Sequence, residues 1–411
     1  MTHNAVFAQD QAIGLLLDPL DVLFFRDGRP FEAASRGYGG LPMPQTLMGM
    51  IMEHIRGKLG IESKDIHGMR NNAEHTHRWT ANVAVRGPWF VEPAEDGESV
   101  KDLFLPAPAH LVGDGDNENP KLQLLAPMRN SDFLPGWNPP RRDGDELRPL
   151  VAAGPVGKSK GEAKWLNKDG LESILNGVAP DPAGLVKSSS VYTYEDRTGI
   201  AVDHQKGTAE DGMIYGARFL RLEKKRMLYA EVGIEPGSGI NLIEDTKKLR
   251  GQLTSGALTL KFGGEARRVR VTVVKPFDWP KAPDSVPSTE EGGFSTILVS
   301  PVIFTCRDGS NSTPRMPPCV GKLVGAAVPK PLAISGWAKA ALHEGDPTTN
   351  APRSTRYAAP AGTVYFWQNG KNADSDRPHP TMYSLAHDPR NRAAGWGVAL
   401  RGAWKFHDTG K

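Results

Sequence analysis

Thirteen residues near the N-terminus, Pro19 to Phe31, constrain the fold of this chain more than any other segment. Their sequence is P-L-D-V-L-F-F-R-D-G-R-P-F, and the nearly continuous apolar run from Leu20 to Phe25 predicts a buried β-strand. Arg26-Asp27-Gly28-Arg29-Pro30 ends that strand, because its proline cannot donate to a ladder and its glycine readily takes a positive φ. Arg26 and Arg29 are therefore predicted to lie on a shaped loop at the edge of a sheet, where an anionic ligand would fit.

A predicted helix follows this loop. Apolar side chains recur every three or four residues from Leu47 to Ile55, so they form one stripe. Pro44 suits the first turn of the helix, and Thr46 adds a hydroxyl near the free amide groups. A strand, a basic loop and a helix N-terminus together predict a phosphate-binding site. The same residues also fit an ordinary strand-to-helix connection with solvated arginines, and these features alone do not decide between the two.

The length and composition of the chain favour two domains. A single hydrophobic core rarely extends over 411 residues, and 45 glycines with 34 prolines indicate many turns between short strands. The net charge of +3 argues against a polycation that coats nucleic acid indiscriminately, so any site for a polyanion has to be a local patch. Cys306 and Cys319 are the only cysteines, which predicts a reduced protein of the cytoplasm. Residues 1–21 predict neither a signal peptide nor a membrane span.

Local patterns predict a mixed α and β chain that is rich in antiparallel strands. Strand patterns at 213–222 and 227–234 predict a hairpin across a Glu-Lys-Lys-Arg turn. A second hairpin is predicted between 257–262 and 267–274, because Gly263-Gly264 can supply the positive φ angles of a tight turn. Residues 165–175 show helical spacing, with Gly177 as the stop.

No arrangement of residues predicts catalysis or a metal centre. His75 and His77 lack a convincing third ligand, so a polar surface pair is the simpler interpretation. The segment Ala152–Ser159 nearly matches a P-loop, but only Leu150-Val151 could serve as the strand before it. We therefore predict no catalytic residue, no bound metal and no cofactor.

Several segments resemble one protein family, in the same order along the chain. They are Asp18-Pro19-Leu20-Asp21, Phe24 to Phe31, Pro42 to Thr46, Tyr194 to Asp203, Thr208 to Tyr215, Arg218 to Leu222, Gly263 to Arg268, Ala359 to Phe366 and Gly395-Trp396-Gly397. The pattern is similar to the RAMP-superfamily subunit of type III-B CRISPR effectors, the Cmr complexes, which caps the 5′ handle of the guide RNA (crRNA). The resemblance covers nearly the whole chain. Residues 92–160 are its least family-like part and are interpreted as an insertion.

The resemblance implies an α+β fold of two ferredoxin-like (RRM-like) domains, with antiparallel sheets and long loop insertions. Residues 1–190 would form an N-terminal RAMP domain that carries the insertion at about 92–160. Residues 191–411 would form a C-terminal RAMP domain with a glycine-rich loop.

The resemblance also implies a non-catalytic RNA-binding subunit. It would grip the crRNA 5′ handle and join the large polymerase-like subunit to the backbone RAMP subunit in antiviral defence. Glycines in a loop let an RNA backbone approach main-chain N–H groups closely, and arginines neutralise phosphates. Trp396 could offer a stacking face to a base or could belong to the core. The residues expected to bind RNA are Arg26, Arg29, Thr46, Arg197, Gly395, Gly397 and Arg401.

A metal-independent RAMP endoribonuclease that processes precursor crRNA is the alternative. Such an enzyme needs a general base, and a histidine would take that role. His204 lies close to a family-like segment, whereas His54 would lie on the predicted helix itself.

Overall fold

The computed structural model shows an α+β protein built from antiparallel sheets. It describes residues 6–25, 36–37, 40–62, 75–113, 121–129, 147–156, 164–203, 206, 208–254, 257–281, 283, 285–304, 321–335, 337–338, 351–352, 354–368 and 382–407. Among the described residues, no helix is both long and apolar enough to cross a membrane.

The strands are short apart from a few central ones. In chain order they are β1 (Ile13–Pro19), β2 (Arg36–Gly37), β3 (Val83–Pro93), β4 (Val100–Pro106), β5 (Leu111–Gly113), β6 (Leu122–Leu124), β7 (Ala126–Pro127), β8 (Leu150–Val151), β9 (Lys164–Leu166), β10 (Leu185–Lys187), β11 (Tyr192–Asp203), β12 (Thr208–Leu222), β13 (Met227–Ile234), β14 (Leu258–Lys261), β15 (Arg268–Val274), β16 (Gly292–Leu298), β17 (Lys322–Ala327), β18 (Leu332–Ile334), β19 (Trp337–Ala338), β20 (Ala351–Pro352), β21 (Arg356–Ala358), β22 (Val364–Gln368), β23 (Met382–Ser384) and β24 (Val398–Lys405). The α-helices are α1 (Pro44–Leu59), α2 (Lys168–Leu175), α3 (Leu242–Leu253) and α4 (Pro389–Ala393).

The first sheet has the order β10-β9-β4-β3-β13-β1-β15-β14, and every pair in it is antiparallel. Its four central strands, β3-β13-β1-β15, alternate with α1 and α3 along the chain, which is the β-α-β-β-α-β arrangement of a ferredoxin-like fold. Residues of β1 alternate between two cores. Ile13, Leu15 and Leu17 pack with α1 and α3, whereas Leu16 lies in a second core with the strands of the other large sheet.

The second large sheet has the order β17-β22-β16-β24-β23. The four strands β17-β22-β16-β24 repeat the order of the first unit, with α4 before the last of them. Ile297 and Leu400 pack against the first unit, and Phe294 and Trp367 lie in a separate core on the opposite face. The expectation of an α+β fold with ferredoxin-like antiparallel units is confirmed.

The first sheet contains strands from both sides of the predicted domain boundary at 190 and 191. The first sheet takes β9 and β10 from one side of that boundary and β13 to β15 from the other. The second large sheet is formed from residues 292–405. The chain leaves the first sheet after β10, forms the long hairpin β11–β12, and returns as β13. The segment at 92–160 also contributes β4, which pairs with β3.

Two local predictions are wrong. The run Leu20–Phe25 is not a strand of the main sheet, because the strand is β1, at Ile13–Pro19, and only Leu23 bridges to Leu220. Leu20 is 53% exposed, whereas residues 22–25 are buried. The predicted pairing of 213–222 with 227–234 is also absent, because β12 pairs with β11 and β13 pairs with β1 and β3. The hairpin of β14 and β15, helix α1 and helix α2 are confirmed.

A buried polar network fixes the middle of the first sheet. Arg86 of β3 and Glu231 of β13 are 2% and 0% exposed, and Arg86 Nε lies 3.2 Å from Glu231 Oε2. Glu231 Oε1 accepts hydrogen bonds from Tyr229 Oη at 2.9 Å, Trp279 Nε1 at 3.0 Å and Gln9 Nε2 at 2.8 Å. Burial lowers the pKa of the Arg86 guanidinium, and the neighbouring Glu231 carboxylate opposes that shift. The pair is therefore a buried charge pair that depends on both partners.

Candidate nucleic-acid interface

Three arginines from different segments converge on one carboxylate. Asp21, in the turn after β1, lies 3.4 Å from Arg197, 3.2 Å from Arg221 and 3.5 Å from Arg267. Glu195 also pairs with Arg197, at 2.6 Å, and with Arg221, at 2.5 Å. We call Arg197, Arg221 and Arg267 the arginine cluster. Three guanidinium groups share two carboxylates, so the cluster keeps a net positive charge.

Strand register explains why these side chains meet. Residues directly opposite on an antiparallel pair lie on one face of the hairpin, and β11 and β12 pair Glu195 with Phe219 and Thr193 with Arg221. Arg197 lies two residues from Glu195 and therefore shares its face. The guanidinium carbons of Arg197 and Arg267 lie 5.0 and 4.6 Å from the centre of the Phe219 ring. The ring holds two of the three arginines in position through cation–π contacts.

The carboxylates of this cluster are held in the ionised form. Burial alone would raise the pKa of Asp21, but the hydrogen bonds and charges of Arg197 and Arg221 outweigh it and lower that pKa. The hydrogen bonds from Arg197 and Arg221 likewise lower the pKa of Glu195. The arginines remain partly exposed, with 37%, 44% and 25% of the side-chain surface accessible for Arg197, Arg221 and Arg267. The cluster is thus an oriented, solvent-accessible set of guanidinium donors, which suits phosphate oxygens.

The hairpin is linked to the segment that precedes α1. Leu23 exchanges backbone hydrogen bonds with Leu220 of β12, and the Phe25 carbonyl accepts from the Gly40 N–H at 2.7 Å. The short strand β2 pairs in parallel with Gly216 and Ala217 of β12. Both described ends of the segment between Phe25 and Gly40 therefore contact the hairpin or each other.

The start of α1 meets the C-terminal glycine turn, which we define as residues 394–397. Helix α1 begins at Pro44, and Thr46 donates its backbone N–H to the Met43 carbonyl at 2.9 Å. A Cβ at Gly395 would lie 3.5 Å from the Cβ of Pro44 and 2.9 Å from the Val85 carbonyl oxygen. Gly395 has a φ of +86°. The glycine turn therefore lies beside the N-terminus of α1, although the two are far apart in sequence. Glycine is required at position 395 by the positive φ and by the Val85 carbonyl of β3, not by Pro44.

The close approach at Gly395 leads to a stability prediction. Gly395→Ala is expected to lower the free energy of unfolding by about 1–3 kcal/mol, because the new Cβ meets the Val85 carbonyl and the backbone has a positive φ. Urea denaturation measures this change. Gly57→Ala is the matched control, because Gly57 lies within α1 with no atom within 4 Å of its added Cβ, so that variant should gain about 0.5–1 kcal/mol. Equal effects of the two variants would contradict the close contact.

The remaining predicted residues of the C-terminal segment are placed inside the second unit. Gly397 has a φ of +72° and donates its N–H to the Pro301 carbonyl. Trp396 is 1% exposed and belongs to the core, so it offers no stacking face. Arg401 lies on β24, where its guanidinium packs 4.8 Å from the Phe294 ring centre. Burial lowers the pKa of Arg401, while the nearby Tyr383 opposes that shift.

Some of the other residues singled out in the sequence lie outside the described ranges, and several basic residues are paired with carboxylates. Arg26, Arg29 and His204 lie outside the described residues. Of the basic patches in the sequence, Arg226 pairs with Glu92, Arg270 with Asp18, and Arg392 with Glu235 at 2.7 Å. In the part of the chain that is described, no group of three histidine, cysteine, aspartate or glutamate residues could hold a metal ion.

The sequence-based list missed two of the three arginines of the cluster. Arg221 lies in a family-like segment and Arg267 in a basic patch, but neither was assigned to the site. Alternation along β11 and β12 would have placed Arg221 on the same face as Arg197 if the two strands had been paired with each other. Asp21, which brings the three arginines together, has no local pattern that identifies it.

One family model matches the chain over residues 15–404, and its description is CRISPR-associated protein (Cas_Cmr3). A chain in the cryo-EM structure of the type III-B Cmr-beta complex bound to cognate target RNA is similar at 14% identity, with 86% of each chain covered and a TM-score of 0.43. A chain of the Csm3–Csm4 subcomplex of a type III-A interference complex has 11% identity, coverage of 91% and 96%, and a TM-score of 0.36. A chain of the Csm1–Csm4 cassette with AMPPNP has 12% identity, 91% coverage of each chain and a TM-score of 0.31. No curated protein matches the sequence.

Proposed function

The chain belongs to the Cas_Cmr3 family of CRISPR-associated proteins and is a component of type III CRISPR effector complexes, and from this premise we propose that it binds the 5′ handle of the guide RNA without performing chemistry on it. The proposed ligand is the sugar-phosphate backbone at the 5′ end of the crRNA. The chain would hold that end while joining the large polymerase-like subunit to the backbone RAMP subunit. Target cleavage would belong to other subunits of the assembly.

The arginine cluster is the observation that carries this proposal. Arg197, Arg221 and Arg267 present partly exposed guanidinium groups that two carboxylates and the Phe219 ring hold in fixed orientations. Guanidinium forks match phosphate oxygens geometrically, and pre-oriented donors lose less conformational entropy on binding. A backbone phosphate can replace Asp21 or Glu195 as the partner of these arginines, because both anions accept the same bidentate hydrogen bonds.

The contact between the glycine turn and the start of α1 supports a second point of RNA contact. Residues without a Cβ allow an RNA backbone to come close, and a threonine hydroxyl can donate to a phosphate oxygen. Gly395 lies beside Pro44, and Thr46 follows in the first turn of α1. We propose that Arg26 and Arg29 complete the phosphate contacts between this point and the arginine cluster, because the segment that carries them connects the two. Gly397 and Arg401 are proposed to shape the loop rather than to contact RNA.

The endoribonuclease alternative receives no favourable observation from the described residues. His54 lies on α1, with its Nε2 2.9 Å from the Gln252 carbonyl oxygen. A general base has to be within hydrogen-bond reach of the hydroxyl that it deprotonates, and this ring is turned toward the protein.

Sequencing the RNA that co-purifies with the chain tests the proposed function. We expect short RNAs that share one 5′ end and vary at the 3′ end, because a subunit that holds the handle selects that end alone. Incubation of the purified chain with labelled precursor RNA in EDTA should leave the precursor intact. RNA with random 5′ ends would refute handle binding, and specific cleavage in EDTA that is lost in His204→Ala would establish the enzyme instead.

A further inference from the structure

An apolar cavity of about 280 Å³ opens beside the contact between α1 and the glycine turn. Its lining includes the segment Leu41–Pro44, Pro88, Tyr192, Trp165, Ser300 and Ala361. These residues come from the start of α1, the first sheet, the base of the β11–β12 hairpin and the loops of the second unit. The cavity therefore lies where the elements of the proposed RNA interface meet.

We propose that this cavity binds one unstacked nucleobase of the RNA, and this inference rests on the proposed function. Sequence-specific recognition of single-stranded RNA commonly turns a base out of the stack and packs it against aromatic side chains. Ligand cavities for drug-sized molecules span about 300–1,000 Å³, so this cavity, just below that range, admits a single ring system. The protein would then read one position of the handle, beyond gripping its backbone.

The walls of the cavity are suited to a flat ring. Phe90 stacks on Tyr192 at 5.3 Å between centroids with an angle of 19°, and Trp165 meets Phe90 edge-on at 5.0 Å. All three rings line the cavity, together with Trp89 and Phe104. Stacking on such rings is worth about 1–3 kcal/mol per base in single-strand-binding proteins. Lys164 on the same lining adds a cation beside the aromatic wall.

Aromatic and cationic groups continue outward from the cavity along the hairpin. Tyr194 lies next to Tyr192, with centroids 5.5 Å apart, and is 39% exposed. The guanidinium carbon of Arg218 lies 5.7 Å from the Tyr194 ring centre. Tyr194 and Arg218 lie on the face of the hairpin opposite to the arginine cluster. A strand that follows the hairpin would thus find an exposed stacking ring next to the cavity mouth, with the Arg218–Asp196 ion pair beside it.

The inner end of the cavity is connected to the glycine turn. Ser300 lines the cavity, and its hydroxyl donates to the Gly395 carbonyl at 2.8 Å. Pro44 also lines the cavity and lies next to Gly395, where an added Cβ would be 3.5 Å from the Pro44 Cβ. A backbone phosphate at the glycine turn would place the attached base within reach of the cavity. This continuity with the proposed phosphate contacts favours a nucleobase over an apolar side chain of a protein partner.

The test introduces larger side chains into the cavity and measures which nucleotide position of the RNA is affected. The RNAs that co-purify with the full-length chain are resynthesised with 2-aminopurine at one position at a time, and binding is followed by fluorescence and by affinity. Ala361→Leu and Leu41→Trp are the filling variants, because both residues line the cavity and both are only partly buried. Ala333→Leu is the matched control, because Ala333 is exposed and lies outside the lining.

We expect 2-aminopurine at one position to be quenched by the unmodified chain and by Ala333→Leu, but not by either filling variant. For the unmodified chain, RNA with an abasic nucleotide at that position should bind about fivefold to a hundredfold more weakly than intact RNA. For Ala361→Leu, the abasic and the intact RNA should bind with equal affinity. The inference is overturned if RNA binds but no position responds, or if the filling variants quench like the unmodified chain. It is also overturned if they bind RNA normally and lose a protein subunit of the complex. If the unmodified chain binds no RNA, the proposed function itself has failed.

Discussion

Replacing Arg197, Arg221 and Arg267 together by glutamine is expected to weaken binding of the guide RNA about a thousandfold at low salt. Each arginine in contact with a phosphate contributes about tenfold through charge-assisted hydrogen bonds, and the three lie around one carboxylate. The slope of log affinity against log salt should also decrease in magnitude by about 2, because each contact to a single strand contributes about 0.7. Fluorescence anisotropy of labelled guide RNA over a range of salt concentrations measures both quantities.

A charge-matched control separates local contact from the loss of net charge. Lys247, Arg250 and Lys405 are exposed and lie on α3 and β24, outside the segments that carry the cluster, so their triple replacement by glutamine removes the same charge. That control is expected to lower affinity less than tenfold and to leave the salt slope nearly unchanged. Equal losses in the two triple variants would show that the arginine cluster does not contact RNA.

Glu231→Leu is expected to lower the free energy of unfolding by about 3–5 kcal/mol, the usual cost of leaving one charge of a buried pair without its partner. Arg86 is 2% exposed and lies between β3, the Phe7 ring at 4.0 Å and Met382 of the second unit. Its guanidinium cannot reach solvent when the carboxylate is removed. The three neutral donors to Glu231 Oε1 lose their acceptor in the same variant. Equilibrium unfolding in urea measures the change.

Two variants check that the loss comes from the unpaired charge. Glu53→Gln removes an exposed carboxylate from α1 and should change stability by less than about 0.5 kcal/mol. Arg86→Met combined with Glu231→Leu should recover part of the loss, because no charge then remains buried. If the double variant loses as much stability as the two single variants combined, the two side chains stabilise the fold through packing and not through their charge pair.

The elements that were predicted correctly from the sequence are those whose conformation is determined by residues close together along the chain. Pro44 at the first turn and the spacing of Leu47 to Ile55 determine α1 locally. The hairpin of β14 and β15 forms where it was predicted, but its tight turn has positive φ at Glu265 (+54°) and Ala266 (+50°), and of the two glycines only Gly263 (+87°) has a positive φ. The run Leu20–Phe25 does not pair as a strand of the main sheet, because its one bridge, at Leu23, goes to Leu220 of β12. Val22 and Phe24 pack on β12, whereas Leu23 and Phe25 enter the core of the first sheet, and no local pattern reveals this division. The predicted partner of β12 was β13, the strand that follows it in the sequence, but β12 pairs with β11.

The candidate site was predictable only in part for the same reason. The motifs identified Arg197 and Gly395, but not what either residue contacts. The approach of Gly395 to Pro44 depends on the packing of the second unit against the first. Asp21 gathers arginines from β11, β12 and the turn before β15, and such a convergence follows only from the three-dimensional arrangement.

Photo-crosslinking of the bound guide RNA, with the crosslinked peptides identified by mass spectrometry, tests the central claim most directly. The native complex is isolated, its RNA is crosslinked, and the attachment points on this chain are mapped. We expect crosslinks from the 5′ end of the RNA to the β11–β12 hairpin, to residues 40–47 and to residues 394–395 of the glycine turn. Crosslinks confined to other surfaces of the chain, or none from the 5′ end, would contradict the claim that these elements together hold the handle.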